Sequence, residues 1–132
     1  MTTQTLTALS AAIALVPVNR RSIRVAIWCP KDRAAGALGL AAQLRASGYR
    51  EVVVTHDFIA TATAQVVVCW EVKQSEVSAV ASLQEVAPES YRLVYTLEGL
   101  QGVPRGPQWL LSNSPVRLLG DLSALADMLP RR

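Results

Sequence analysis

Four apolar runs, VAIWC at 25–29, VVVT at 52–55, VVVCW at 66–70 and RLVYT at 92–96, alternate with stretches of helical spacing. That alternation narrows what the chain can become. A run rich in β-branched residues with no polar partner at every second place suits a strand buried on both faces, as in a parallel sheet packed between helices. The first strand is expected at 24–29, and Pro30 suits the first turn of the helix after it, where a missing N–H costs nothing. That helix is predicted to run to Ser47, with Ala34, Leu38, Ala41 and Leu44 on one face and Gly48 as its stop.

The remaining elements follow the same rhythm. Strands are expected at 51–56 and 65–70. Only DFIATATA, residues 57–64, joins them, which is short for a parallel crossover of ten residues or more. The spacing allows a bare two-turn helix, a frayed strand end, or a hairpin, although no Asn-Gly or Gly-Gly turn is present. Residues 71–87 read as a helix with Val77, Val80 and Leu83 inward and Pro88 just past its end. A fourth strand is expected at 91–96. Residues 98–115 carry Gly99, Gly102, Pro104, Gly106, Pro107 and Pro115, so only 108–111 there suits an edge strand or a turn of helix. VRLLG, 116–120, reads as the last strand, with Asp121 capping a helix that aligns Leu122, Leu125 and Leu129. Strands alternating with helices predict an α/β three-layer sandwich around a mostly parallel five-stranded sheet. At 132 residues one domain is expected, over 22–132, preceded by an arm over 1–21.

The arm carries no charged side chain before Arg20. Its apolar part, residues 6–18, is shorter than the ~20 residues a membrane span needs. Basic residues follow this part instead of preceding it, unlike a signal peptide. Leu6, Leu9, Ile13 and Val16 recur at the steps of one helix face, and Pro17 should end that helix. Such a stripe is expected to bury itself on its own domain or on a partner. Among the basic residues only Lys31 and Lys73 are lysine, and the net charge is +3. Arg20, Arg21 and Arg24 form the one tight cluster, with no aromatic residues interleaved, so no nucleic-acid stripe is expected. Two cysteines are too few for a disulfide scaffold and fit a reducing cytoplasm.

The order strand, helix, short crossover, strand, helix, strand, loop, strand, helix over about residues 22–130 resembles the receiver domain of bacterial response regulators, a flavodoxin-like fold. Receivers place an acidic pair after the first strand, a phosphoacceptor Asp after the third, a Thr or Ser after the fourth and a Lys after the fifth. Here the matching positions hold Cys29-Pro30 with Asp32 displaced, Cys69-Trp70, Thr96, and Gly120-Asp121. Phosphotransfer to Asp needs a carboxylate nucleophile and Mg²⁺ held by clustered oxygens, and only Thr96 fits that pattern. The resemblance therefore implies a degenerate receiver that works without phosphorylation. A second resemblance is to TIR domains, through VAIWCPKDRAAGALGLAAQLRASGY and VVVCWEVKQSEVSAV. The glutamate used by TIR hydrolases would fall near Ala81, with Glu76 and Glu85 as near misses, so this resemblance implies assembly without NAD cleavage.

Candidate sites follow from the topology. Ligands of doubly wound sheets sit beyond the C-terminal ends of the strands, where Cys29, Asp32, His56, Asp57, Cys69 and Thr96 are expected to share a rim. Two thiols and an imidazole suit zinc, a redox pair or a Cys-His nucleophile. Buried cysteines also serve as small apolar residues, and these spacings match no metal motif. Gly36 and Gly39 lie inside the first helix, not in a phosphate-binding turn, and suggest close packing. Trp28 and Trp70 suit either a clamp for a planar ligand or a roof on the sheet. The expectation is a non-catalytic regulatory or structural module with no cofactor or metal. It would bind protein partners or a second copy through Leu6, Leu9, Ile13, Val16, Arg20 and Arg21 of the arm, and Arg105 and Trp109 of the Gly/Pro loop. The alternatives are a small cysteine-dependent enzyme or metal-binding protein, and a TIR-like assembly domain.

Overall fold

A computed structural model of the protein describes residues 22–129. Its strands are β1 (Arg24–Trp28), β2 (Glu51–Thr55), β3 (Val66–Cys69), β4 (Tyr91–Tyr95) and β5 (Trp109–Ser112). They form one five-stranded sheet in the order β2-β1-β3-β4-β5. Every neighbouring pair is parallel, one step beyond the mostly parallel sheet expected. The helices are α1 (Ala34–Ala46), α2 (Val77–Ala81), α3 (Leu83–Val86) and α4 (Pro115–Met128). This is the flavodoxin-like α/β sandwich, with β3 at the centre and the chain reversing its direction of winding between β1 and β3.

Side chains alternate across each strand. Val25, Ile27, Val66, Val68, Leu93 and Tyr95 therefore face one side, where Leu40, Leu44, Leu118, Leu122 and Leu125 of α1 and α4 cover them. Each of these buried leucines contributes roughly 2 kcal/mol of transfer free energy. Trp28, Val67, Cys69, Val94 and Trp109 face the other side, beneath Val72, Val80 and Leu83.

The two covers are unequal. Over the first face lie helices of 13 and 14 residues. Over the second, the helices among the described residues are α2 and α3, of 5 and 4 residues. The sequence accounts for this. Residues 56–65 are too few for a full helix, so β2 reaches β3 through a 3-10 turn, Phe58–Thr61, capped by the Asp57 side chain at the Ile59 N–H. Both flanking strands end a residue short of expectation, which lends length to that crossover. Residues 96–108 are broken by glycine and proline and hold no helix at all.

Five expectations need correcting. VRLLG is not a strand. Ser114 accepts a hydrogen bond from the Arg117 N–H, Pro115 takes the first turn, and α4 runs unbroken through it. The last strand is WLLS, the edge option in the loop, and Asp121 lies within α4 instead of capping it. The inner face of α1 is Ala37, Leu40, Ala41 and Leu44, while Leu38 is 56% exposed. Pro30 precedes a 3-10 turn, Lys31–Arg33, which rotates the helix relative to one started at Pro30. The single helix expected at 71–87 is broken at Ser82, whose hydroxyl bonds back to the Ala79 carbonyl at 2.5 Å.

Candidate functional site

The C-terminal rim of the sheet is where the sequence places chemistry, and the register decides what meets there. Trp28 pairs with Cys69. Cys69 thus shares a face with Trp28, and Cys29, the next residue along, points to the opposite face with Trp70. The two cysteines end adjacent strands on opposite sides of the sheet, and both are buried and unbridged. They do not form a redox pair or a common ligand set. No group of three or more His, Cys, Asp or Glu side chains converges among the described residues.

His56 does reach Cys29, with Nδ1 3.7 Å from Sγ. The same nitrogen lies 2.7 Å from the Cys29 carbonyl oxygen, which can only accept. Nδ1 therefore carries the proton and offers the thiol no lone pair. Burial pushes the Cys29 thiol up, with Asp32 adding to the rise and Arg33 opposing it. Cys69 is pushed up further, to about 12, by burial that the Arg92 guanidinium only partly offsets. Neither thiol is poised as a nucleophile, since the thiolate is the reactive form.

The other rim residues are engaged in holding the rim together. The Thr96 hydroxyl donates to the Val72 carbonyl at 2.7 Å and accepts from the Glu98 N–H at 3.0 Å. Asp32 is exposed, 3.5 Å from the Arg33 guanidinium. Arg33 turns its other nitrogen to Glu76, strapping the start of α1 to the turn before α2. Sequence reading missed that strap: forty-three positions separate the pair, and no local pattern marks them as partners. Glu71, at the bend after β3, sits at φ 48°, left-handed for a non-glycine residue, as the chain passes its hydrogen bonds from β1 to β4. Trp28 stacks on Phe58 with centroids 4.4 Å apart, and Trp70 packs on Tyr95 at 4.7 Å. Being on opposite faces, the two tryptophans roof the sheet and form no clamp. Gly36 explains itself here: a Cβ on it would lie 2.8 Å from the Trp70 indole nitrogen.

An open feature of the surface lies elsewhere. Beside β5, on the thinly covered face, is a cleft of about 610 Å³ lined by Leu100, Val103, Arg105, Trp109 and Leu111 together with loop backbone. Its volume falls in the range of small-molecule pockets. Trp109 forms the floor, 8% exposed, with the Arg92 guanidinium 4.9 Å from its ring centroid. The walls are fixed. The Gln74 amide donates to the Gln101 carbonyl and accepts from its N–H, both at 2.8 Å. Gly102 takes φ +82° beside Val77. The cleft exists because the β4–β5 connection holds no helix to fill it. Of the expected interaction residues, Arg105 and Trp109 line this cleft; Leu6, Leu9, Ile13, Val16, Arg20 and Arg21 lie outside the described residues. Sequence reading missed Leu100, Val103 and Leu111, which only the return of the loop onto the sheet brings to Trp109. No described helix is long and apolar enough to cross a membrane. Compared with protein-family models, curated proteins and solved structures, the chain matches none.

Proposed function

We propose that the protein is a non-catalytic interaction module, a degenerate receiver-like domain of the bacterial cytoplasm that binds protein partners without phosphorylation. The observation that carries this reading is the contrast between rim and cleft. At the rim the Thr96 hydroxyl is bonded to Val72 and Glu98, His56 donates to a backbone carbonyl, and the strand ends offer cysteines with raised pKa values. The cleft beside β5 is open, apolar on its floor, and bordered by the exposed Arg105. Binding in such a place needs no reacting group.

Affinity capture of the full chain from a lysate of its source organism, beside the same capture with the C29S/C69A variant, tests the reading. The expected result is the same stoichiometric partner with both baits, and no change on adding acetyl phosphate with Mg²⁺. Zinc at one equivalent per chain, or loss of the partner with the cysteines, would replace it with the cysteine-dependent alternative.

A further inference from the structure

We propose that the outer edge of β5 takes up an extended segment of a partner protein as a further parallel strand, with an acidic residue at its start and an apolar one over the cleft. Strand β5 ends the order of the sheet, so one of its edges has no neighbouring strand among the described residues. The Arg92 N–H donates to the Gln108 carbonyl and the Thr96 N–H to the Ser112 carbonyl. With that register, the backbone groups of Gln108, Leu110 and Ser112 turn to β4, and those of Trp109, Leu111 and Asn113 turn outward. The Trp109 N–H is already taken, by the Gly106 carbonyl at 3.1 Å. The outward groups left without a described partner are the Trp109 C=O, the Leu111 N–H and C=O, and the Asn113 N–H.

A parallel strand meets all of these groups and calls on no other. Its first residue donates to the Trp109 carbonyl and accepts from the Leu111 N–H. Its third donates to the Leu111 carbonyl and accepts from the Asn113 N–H. An antiparallel strand would take Trp109 as a doubly bonded pair, and that pair needs the N–H that Gly106 holds.

The two edges of the sheet also differ. Exposed edges are commonly blunted by charged side chains or covering groups. At β2 the Arg45 guanidinium donates to the outward Val52 carbonyl at 2.7 Å, and Glu51 is exposed on the same strand. Strand β5 is WLLS, with no charge and no proline, and Leu111 is 45% exposed. In strand addition the backbone bonds give affinity and side-chain pockets give the choice of partner. Residues level with each other on neighbouring strands point to the same face, about 4.8 Å apart. The second residue of the incoming strand is level with Leu111 and lies over the cleft, where Leu100, Val103 and Trp109 favour an apolar side chain. The residue before the first is level with Trp109. Arg105 is the one charged residue lining the cleft, exposed and with no described ion-pair partner, so an acidic side chain suits that place.

This inference names the kind of partner for the interaction-module reading and rests on it. A random dodecapeptide library displayed on phage is selected on the immobilised full chain. Enriched peptides are expected to carry an acidic residue two places before an apolar one. Methylating the backbone nitrogen of the first or third paired residue should weaken binding about tenfold or more, while methylating that of the second, which faces away, should not. Arg105→Glu should exchange the acidic preference for a basic one. In hydrogen exchange followed by NMR, the Leu111 and Asn113 amides should be fast in the free chain and slow in the complex, with Leu110 and Ser112 unchanged. An empty selection, or peptides indifferent to methylation, would overturn the proposal. So would a Leu111 amide already protected in the free chain, whether by its own termini or by a second copy. A lysate partner held equally by the native chain and by Leu111→Lys would overturn it too, while leaving the broader reading in place. Val53→Lys, on the opposite edge strand, controls for the added charge.

Discussion

At the scale of single residues, close approach and burial decide what each position tolerates. Gly36 faces the Trp70 indole, and that ring is held against Tyr95, so it cannot swing aside. Gly36→Ala should lower stability by about 1–3 kcal/mol through overpacking. Gly39, three residues along the same helix, has nothing within 4 Å of an added Cβ. Gly39→Ala should raise stability by about 0.5–1 kcal/mol by helix propensity. Denaturant midpoints of the two variants check the pair. The thiols add a pH dependence. Cys69 titrates near 9.0 when unfolded and at about 12 when folded, and Cys29 shifts in the same direction. The folded state holds protons that the unfolded state has already released. Stability from this source is complete below pH 9 and falls as pH rises toward 12. Cys69→Ala should flatten that alkaline decline, as followed by thermal unfolding across the range, and native Cys69 should resist iodoacetamide at pH 8.

At the scale of elements, α4 separates what a sequence displays from what it hides. Ser114→Ala should cost about 1 kcal/mol, the loss of its cap bond to Arg117. Asp121→Ala should cost about 1–3 kcal/mol for another reason: its carboxylate accepts from the hydroxyl of fully buried Ser112 at 2.8 Å, which would be left without a partner. Equilibrium unfolding of each variant tests both values. Read alone, Asp121 before Leu122 imitates a cap, and the leucines of VRLLG imitate a strand. Ser114-Pro115 is the true start signal, but the prolines and glycines around it make it look like more loop. Strands β1 to β4 were legible because β-branched runs buried on both faces have few other uses. The candidate site was less so. Cys29 and Cys69 end neighbouring strands, as expected, yet a difference of one residue in register turns them to opposite faces. The lining of the cleft depends on how a loop folds back, which no periodicity encodes.

At the scale of the whole molecule, the described residues cover one side of the sheet thickly and the other thinly. The face under α1 and α4 should hold the most stable part of the structure. Amides of Leu40, Leu44, Leu122 and Leu125 should exchange with solvent only by global unfolding. Those of α2 and α3, whose helices span nine residues broken at Ser82, should exchange faster through local opening. Native-state hydrogen exchange measured by mass spectrometry checks the ranking. Equal protection on both faces would contradict it.

The internal place of β1, between β2 and β3, also bears on how the molecule is made. On the ribosome β1 emerges before either of its neighbours, since β2 and β3 both follow it. Until Val66–Cys69 leaves the exit tunnel, at least one edge of Val25-Ala26-Ile27-Trp28 has no partner strand. Nascent chains stalled between β2 and β3 are thus the stage at which the protein is most open to aggregation and most in need of a chaperone.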